Sequence, residues 1–228
     1  MMFPGLSLKI FYPDAISSNE INDYNRVCSL WNEIWRDPRR ALDAPPAGPP
    51  ESFARQSEIL VLYCDGEPIA ACCHRYIDLR HECVLYDSGV TPSIWPAGAQ
   101  PMVPGPGQTC LLGSHIYIHP EFRMGRSGLP IQDIVRALSM AHASATRPDV
   151  VLGAARIDDA AHDGGAISAH ANASWCHVPA DLIALFPNQR PIEVDAPYRE
   201  IVETIGNTCD RFALNYRERH RPRCDHNH

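Results

Sequence analysis

The segment Ser114–Leu138, SHIYIHPEFRMGRSGLPIQDIVRAL, constrains the fold of this chain more than any other. An apolar run ends at His119-Pro120, and a loop with two arginines and two glycines follows. Apolar residues then recur at Ile131, Ile134/Val135, Leu138 and Ala141, along one face of a helix. DVVLGAARI at 149–157 supplies a returning strand, so the region reads as a strand–helix–strand crossover. The turn between the first strand and the helix is either a basic surface turn or an anion site. The second reading has a physical basis. Unpartnered N–H groups and the positive end of the dipole favour an anion at a helix N-terminus. Glycines let the backbone approach it, and arginines add charge-assisted contacts.

The rest of the pattern surrounds this crossover. LSLKIFYPD reads as a first strand. SSNEINDYNRVCSLWNEIWRD places Ile21, Tyr24, Val27/Cys28, Trp31 and Ile34/Trp35 at helical spacing, with Ser18 or Asn19 as N-cap. ALDAPPAGPPES is a proline-rich connector that neither a helix nor an inner strand accepts. EILVLYC and IAACCHRYIDL flank Asp65-Gly66, the signature of a tight hairpin. ECVLYDSGV is expected to be a further strand, followed by a long Pro/Gly-rich insertion at 91–108. AHDGGAISAHANASW reads as weakly helical, and ADLIALFP as a late strand. APYREIVETIGNTCDRFALNYRERH reads as an amphipathic helix carrying Tyr198, Ile201/Val202, Ile205, Cys209, Phe212 and Tyr216. The expected class is α+β, a mixed and mostly antiparallel sheet flanked by helices with a C-terminal amphipathic helix. The expected division is a domain over 1–195, a helix over 196–220 packed on it or at a homodimer interface, and a tail over 221–228.

Composition narrows the function classes. The 228 residues are 45% hydrophobic and 21% charged, ordinary for a globular protein. No apolar run approaches the ~18 residues of a membrane span, and the first residues lack a basic region followed by an apolar core. The net charge of −7 disfavours a nucleic-acid partner. Nine cysteines, an odd number with no CxxC pair, suggest a reducing cytoplasm and neither a zinc ribbon nor a thioredoxin motif. The tail CDHNH offers Cys224, His226 and His228, but this spacing matches no closed zinc site, and no metal is expected.

Over residues 57–160 the order of elements, the DGEP hairpin and IYIHPEFRMGRSGLPIQDIVRAL resemble the GNAT superfamily of acyl-CoA-dependent N-acyltransferases. In that family a strand ends in an apolar-x-Pro segment and runs into an R/Q-x-x-G-x-G/A loop and a helix. The loop amides and helix N-terminus hold the pyrophosphate of coenzyme A. Here the loop begins at Arg123 and has arginine at position 126, with Gly125 and Gly128 on either side. The resemblance implies an acetyl-CoA or longer acyl-CoA co-substrate held by Arg123, Met124, Gly125, Arg126, Ser127 and Gly128. It further implies a splayed gap in which the backbone of Ile116 and Ile118 pairs with the pantetheine arm, with Asp149–Ala155 as the other lip. The acceptor would be the amine of a small metabolite or amino acid.

Acyl transfer needs a deprotonated amine held against a thioester carbonyl, and a route for the departing thiolate. His115 is the favoured base, because an unperturbed imidazole titrates near neutrality; a histidine beside a sheet equally often bonds a carbonyl. Family members commonly protonate the thiolate with a tyrosine after the next strand. This chain has no tyrosine between Tyr117 and Tyr198, which leaves Ser168 or His170 as substitutes, or unaided departure. That absence leaves two alternatives open: a long-chain N-acyl amino acid synthase-like variant, or a non-catalytic acyl-CoA-binding sensor or docking module.

Overall fold

A computed structural model describes residues 5–36, 51–78, 107–125, 128–156, 168–175, 178–185 and 196–212. Seven strands form one sheet: β1 (Leu6–Phe11), β2 (Glu58–Cys64), β3 (Glu67–Asp78), β4 (Thr109–Ile118), β5 (Val150–Arg156), β6 (Ser168–Trp175) and β7 (Val178–Leu185). Their spatial order is β1-β2-β3-β4-β5-β7-β6. Among the described strands only the β4–β5 pair is parallel. The expected strand at ECVLYDSGV lies outside the described residues.

Helices cover both faces. On one face α1 (Ile21–Arg36) and the single turn α2 (Glu51–Ala54) enclose a core of Phe11, Val27, Trp31, Phe53, Val61, Cys73 and Tyr117. On the other, α3 (Ile131–Thr146) and α4 (Ala196–Gly206) bury Ile10, Leu60, Leu62, Cys72, Ile118, Ile134, Leu138 and Ile201. Cys72 and Cys73 thus each join a different core, as adjacent strand residues must. Asp65 (φ 51°) and Gly66 (φ 83°) close the β2–β3 hairpin with two left-handed residues, the turn their dipeptide favours.

Three local readings are corrected. Ser168–Trp175 is an edge strand, not a weak helix. Its residues alternate polar and apolar without a break (Ser, Ala, His, Ala, Asn, Ala, Ser, Trp), and β7 offers a full antiparallel partner that overrides the low strand propensity of alanine. The C-terminal helix ends at Gly206 instead of continuing through Tyr216. The chain turns there, and the Phe212 ring folds back so closely that a Cβ on Gly206 would lie 2.7 Å from it. The start of α1 is fixed not by Ser18 or Asn19 but by Ser17 and Glu20, where Ser17 N–H donates to Glu20 Oε2 at 3.2 Å. Past the turn, Leu8 N–H donates to Thr208 Oγ1 at 2.8 Å, and Arg211 reaches the Ile10 carbonyl at 3.2 Å. Both bonds lace the outer edge of β1.

Candidate active site

The parallel β4–β5 ladder runs only from Cys110–Val150 to Gly113–Gly153. Beyond it β4 continues to Ile118 along β3, and β5 continues to Arg156 along β7. Among the described residues the two strands no longer pair there, which leaves a gap in the middle of the sheet. The closed end is clasped by Asp149, whose Oδ2 accepts from Thr109 N–H at 2.7 Å and Thr109 Oγ1 at 2.8 Å. The open end is steered by a bulge. Cys72 opposes Ile116 and Cys73 opposes Ser114, so His115 is the extra residue in β4. The bulge inverts the side-chain phase of the strand. Leu111 packs with Ala143 on the α3 face, whereas Tyr117 faces Trp31 and Ile118 returns to the α3 face.

The hydrogen-bond phase decides which backbone groups line the gap. His119 N–H donates to the Ile69 carbonyl at 2.8 Å, so Ile69–His119 is a hydrogen-bonded pair. Pairs alternate along an antiparallel ladder, so Ala70–Ile118 and Cys72–Ile116 are non-bonded pairs. The N–H and C=O of Ile116 and Ile118 therefore turn away from β3 into the gap. Consistent with this, the Ile118 carbonyl accepts from Arg123 Nε at 2.7 Å. The Ile116 side chain is 40% exposed, next to buried Ile118.

Past Ile118 the chain forms a 3-10 turn, Pro120–Gly125, which contains Arg123, Met124 and Gly125. Arg126 and Ser127 lie outside the described residues. Gly128 is left-handed (φ 74°) with open space where a Cβ would stand. α3 then starts after Pro130, which provides no side-chain cap. The one carboxylate in its first turn, Asp133, accepts from Tyr198 OH at 3.0 Å.

The structure brings Ile116, Ile118 and Arg123 together at the open end of the gap, with His115 at the bulge. Ser168 and His170 lie elsewhere, on β6 at the sheet edge, three strands from β4 and so about 14 Å across the sheet. The lip assigned to Asp149–Ala155 is narrower than expected, since Val150–Gly153 stays paired with β4 and the divergence begins at Ala154. Tyr117 is buried, and its hydroxyl accepts from Trp31 Nε1, so it is held in the core rather than in the gap. A separate depression of about 500 Å³ lies against β1, three strands away on the other side. Its charges largely satisfy one another, as in the 2.8 Å Lys9–Asp23 and 2.9 Å Arg211–Glu20 pairs.

One polar constellation has no counterpart in the sequence reading. Glu58 at the start of β2, His74 in β3 and His142 in α3 are buried together on the α3 face. Burial alone would raise the Glu58 carboxyl, but the hydrogen bond with His142 and the two imidazoles beside it hold it at about 2. The three residues are too far apart in sequence to form a local motif. Their signal is subtler: His142 interrupts the buried stripe of α3, and His74 interrupts the apolar run IAACCHRYI.

No protein-family model matches the sequence, and no curated protein matches it. Solved structures do match the fold. An N-acyl amino acid synthase from uncultured soil microbes, FeeM, aligns with a TM-score of 0.51 at 14% identity, covering 85% of this chain and 98% of that one. A CoA-dependent acyl-homoserine lactone synthase, BjaI, solved with SAM and isopentyl-CoA, aligns with a TM-score of 0.52 at 9% identity, covering 89% of this chain and 90% of that one. The same synthase with MTA aligns with a TM-score of 0.54 at 10% identity. A mixed sheet split between its parallel strands, a glycine loop and a helix after the first of them, and these matches lead to one conclusion: the chain has the GNAT fold.

Proposed function

We propose that this protein transfers an acyl group from acyl-CoA to the amine of an amino acid or similar small metabolite. The observation that carries the reading is the gap between β4 and β5, with the Ile116 backbone turned away from β3 and, among the described residues, unpaired with β5. An extended pantetheine arm carries amides spaced to pair with such a strand, in the manner of an added strand. The turn through Arg123 and Gly128 and the uncapped start of α3 suit the pyrophosphate. Arg123 contributes in part by bracing the turn against the end of β4.

The reaction forms a C–N bond and breaks a C–S bond. The amine attacks the thioester carbon, loses its proton to a base, and the CoA thiolate departs. His115 at the bulge is the base in this reading. Exposed Ile116 beside an apolar core suits an acyl chain longer than acetyl. The similarity to BjaI, solved with isopentyl-CoA, supports that choice, and the similarity to FeeM, an N-acyl amino acid synthase, supports an amino acid as acceptor. The test is release of free CoA from acyl-CoAs of graded length with a panel of amino acids, read with a thiol reagent against a blank for the protein's own nine cysteines. CoA release that requires both substrates is expected.

One observation favours a second reading, an acyl-CoA-binding module without turnover. Tyr117 is locked in the core, and Ser168 and His170 stand three strands from β4, which sets all three apart from a departing thiolate in the gap. CoA binding with no release from any donor–acceptor pair would select this reading.

A further inference from the structure

We propose that Glu58, His74 and His142 form a buried site for one zinc-class divalent metal ion, which ties β2, β3 and α3 together. The site lies within the core of the α3 face and does not depend on the acyl-transfer reading.

The geometry comes first. One donor atom from each residue lies within 4.8 Å of the other two. Glu58 Oε2 stands 2.8 Å from His142 Nε2 and 3.9 Å from His74 Nδ1. An ion bound tetrahedrally at about 2.0–2.2 Å from nitrogen and oxygen spaces its donors about 3.3–3.5 Å apart. The two Glu58 separations bracket that spacing and the two imidazole donors lie within 4.8 Å of each other, so side-chain rotations on the order of an ångström would seat the ion. Two imidazoles and one carboxylate are a zinc donor set, with a fourth position open to water.

The second observation is an unmet atom. Both imidazoles are wholly buried, and among the described residues His74 Nδ1 has no hydrogen-bond partner. The other nitrogen of that ring, Nε2, lies 2.7 Å from Ser139 Oγ. If Nε2 carries the proton and donates it to Ser139, the Nδ1 lone pair faces the Glu58 carboxylate, like against like. If Nδ1 carries the proton, its acceptor at 3.9 Å is out of reach. Neither neutral tautomer, nor the doubly protonated ring, gives Nδ1 a hydrogen-bond partner at that distance, and native cores avoid such unsatisfied atoms. A cation between Nδ1 and the carboxylate removes the conflict, and the Ser139 contact is then the outer hydrogen bond that fixes a ligating imidazole.

The test uses the full-length protein, stripped with chelator, reloaded with Zn²⁺ and desalted. Cys224, His226 and His228 are a competing source of donors, so Cys224→Ser/His226→Gln/His228→Gln is measured alongside. Both proteins are expected to keep one equivalent of zinc. The X-ray absorption spectrum of the tail variant is expected to show nitrogen and oxygen neighbours at about 2.0 Å and no sulfur at about 2.3 Å. In the tail-variant background, Glu58→Gln and His142→Gln are each expected to weaken zinc at least about 100-fold. Should those two variants fail to fold, the spectrum of the folded tail variant decides alone. A tail variant that keeps no zinc, a sulfur-containing shell, or unchanged affinity in both substituted proteins would overturn the proposal. The cluster would then be a carboxylate–imidazole hydrogen-bond network only.

Discussion

Asp149→Ala should destabilise the protein out of proportion to a half-buried surface carboxylate, because Asp149 holds the two parallel strands together where they still pair. Its Oδ2 accepts from the Thr109 backbone and hydroxyl at 2.7 and 2.8 Å. Hydrogen bonds to a charged group contribute about 1.5–3 kcal/mol each. Both bonds share one oxygen and the site is partly solvated, so a combined loss of about 2–3 kcal/mol is expected. The backbone bond from Asp149 N–H to the Thr109 carbonyl at 3.0 Å survives the substitution, which keeps the fold intact. In a domain of this size each kcal/mol lowers Tm by about 2–4 °C, so the midpoint should fall by about 4–12 °C. Asp149→Asn keeps an acceptor without the charge and should lose about 1 kcal/mol. Urea unfolding of the three proteins measures this directly, with the slope m checked for constancy. A loss below about 0.5 kcal/mol for Asp149→Ala would refute the clasp, and so would an equal loss for Asp149→Asn.

Other substitutions probe the loop and the termini of the two helices on the α3 face. Gly128→Asp, which forces a β-carbon and a negative charge onto a left-handed residue, should weaken acyl-CoA binding at least tenfold by calorimetry with a small change in Tm. Arg123→Ala should weaken binding as well and lower Tm slightly, since it also removes the bond to the Ile118 carbonyl. Gly206→Val should cost about 1–3 kcal/mol in urea, because the Phe212 ring occupies the space its side chain needs. Arg147, a left-handed residue (φ 50°) that closes α3, should stabilise the protein by up to about 1 kcal/mol when replaced by glycine, read as a higher urea midpoint.

Much of the fold was legible where local chemistry and tertiary structure agree. The Asp65-Gly66 hairpin, the helical stripes of α1 and α3, and the crossover from β4 to β5 follow from turn residues and from periods near 2 and 3.6. β6 was less legible, because alanine has low strand propensity and the strand depends on pairing with β7. The end of α4 was misread because Cys209 and Phe212 sit at helical spacing although they pack from a reversed turn. At the candidate site the loop was legible as a glycine- and arginine-rich turn before a helix. The bulge at His115 was not, since it shows only in the register with β3. Nor was the placement of Ser168 and His170 at the sheet edge, which depends on β7 entering between β5 and β6. The Glu58–His74–His142 cluster is assembled by three elements far apart in sequence, so only the packed structure brings it together.

The central claim is that the gap between β4 and β5, with its glycine turn, holds the arm and pyrophosphate of an acyl-CoA. Thermal unfolding with and without excess CoA, acetyl-CoA and longer acyl-CoAs tests it most directly. A ligand that binds only the folded state adds about 2.7 kcal/mol at a hundredfold excess over Kd, a rise in Tm of about 5–10 °C for a chain of this size. A rise with CoA itself, larger for the preferred acyl chain, is the expected result. An unchanged midpoint with every one of them at millimolar concentration would contradict the claim.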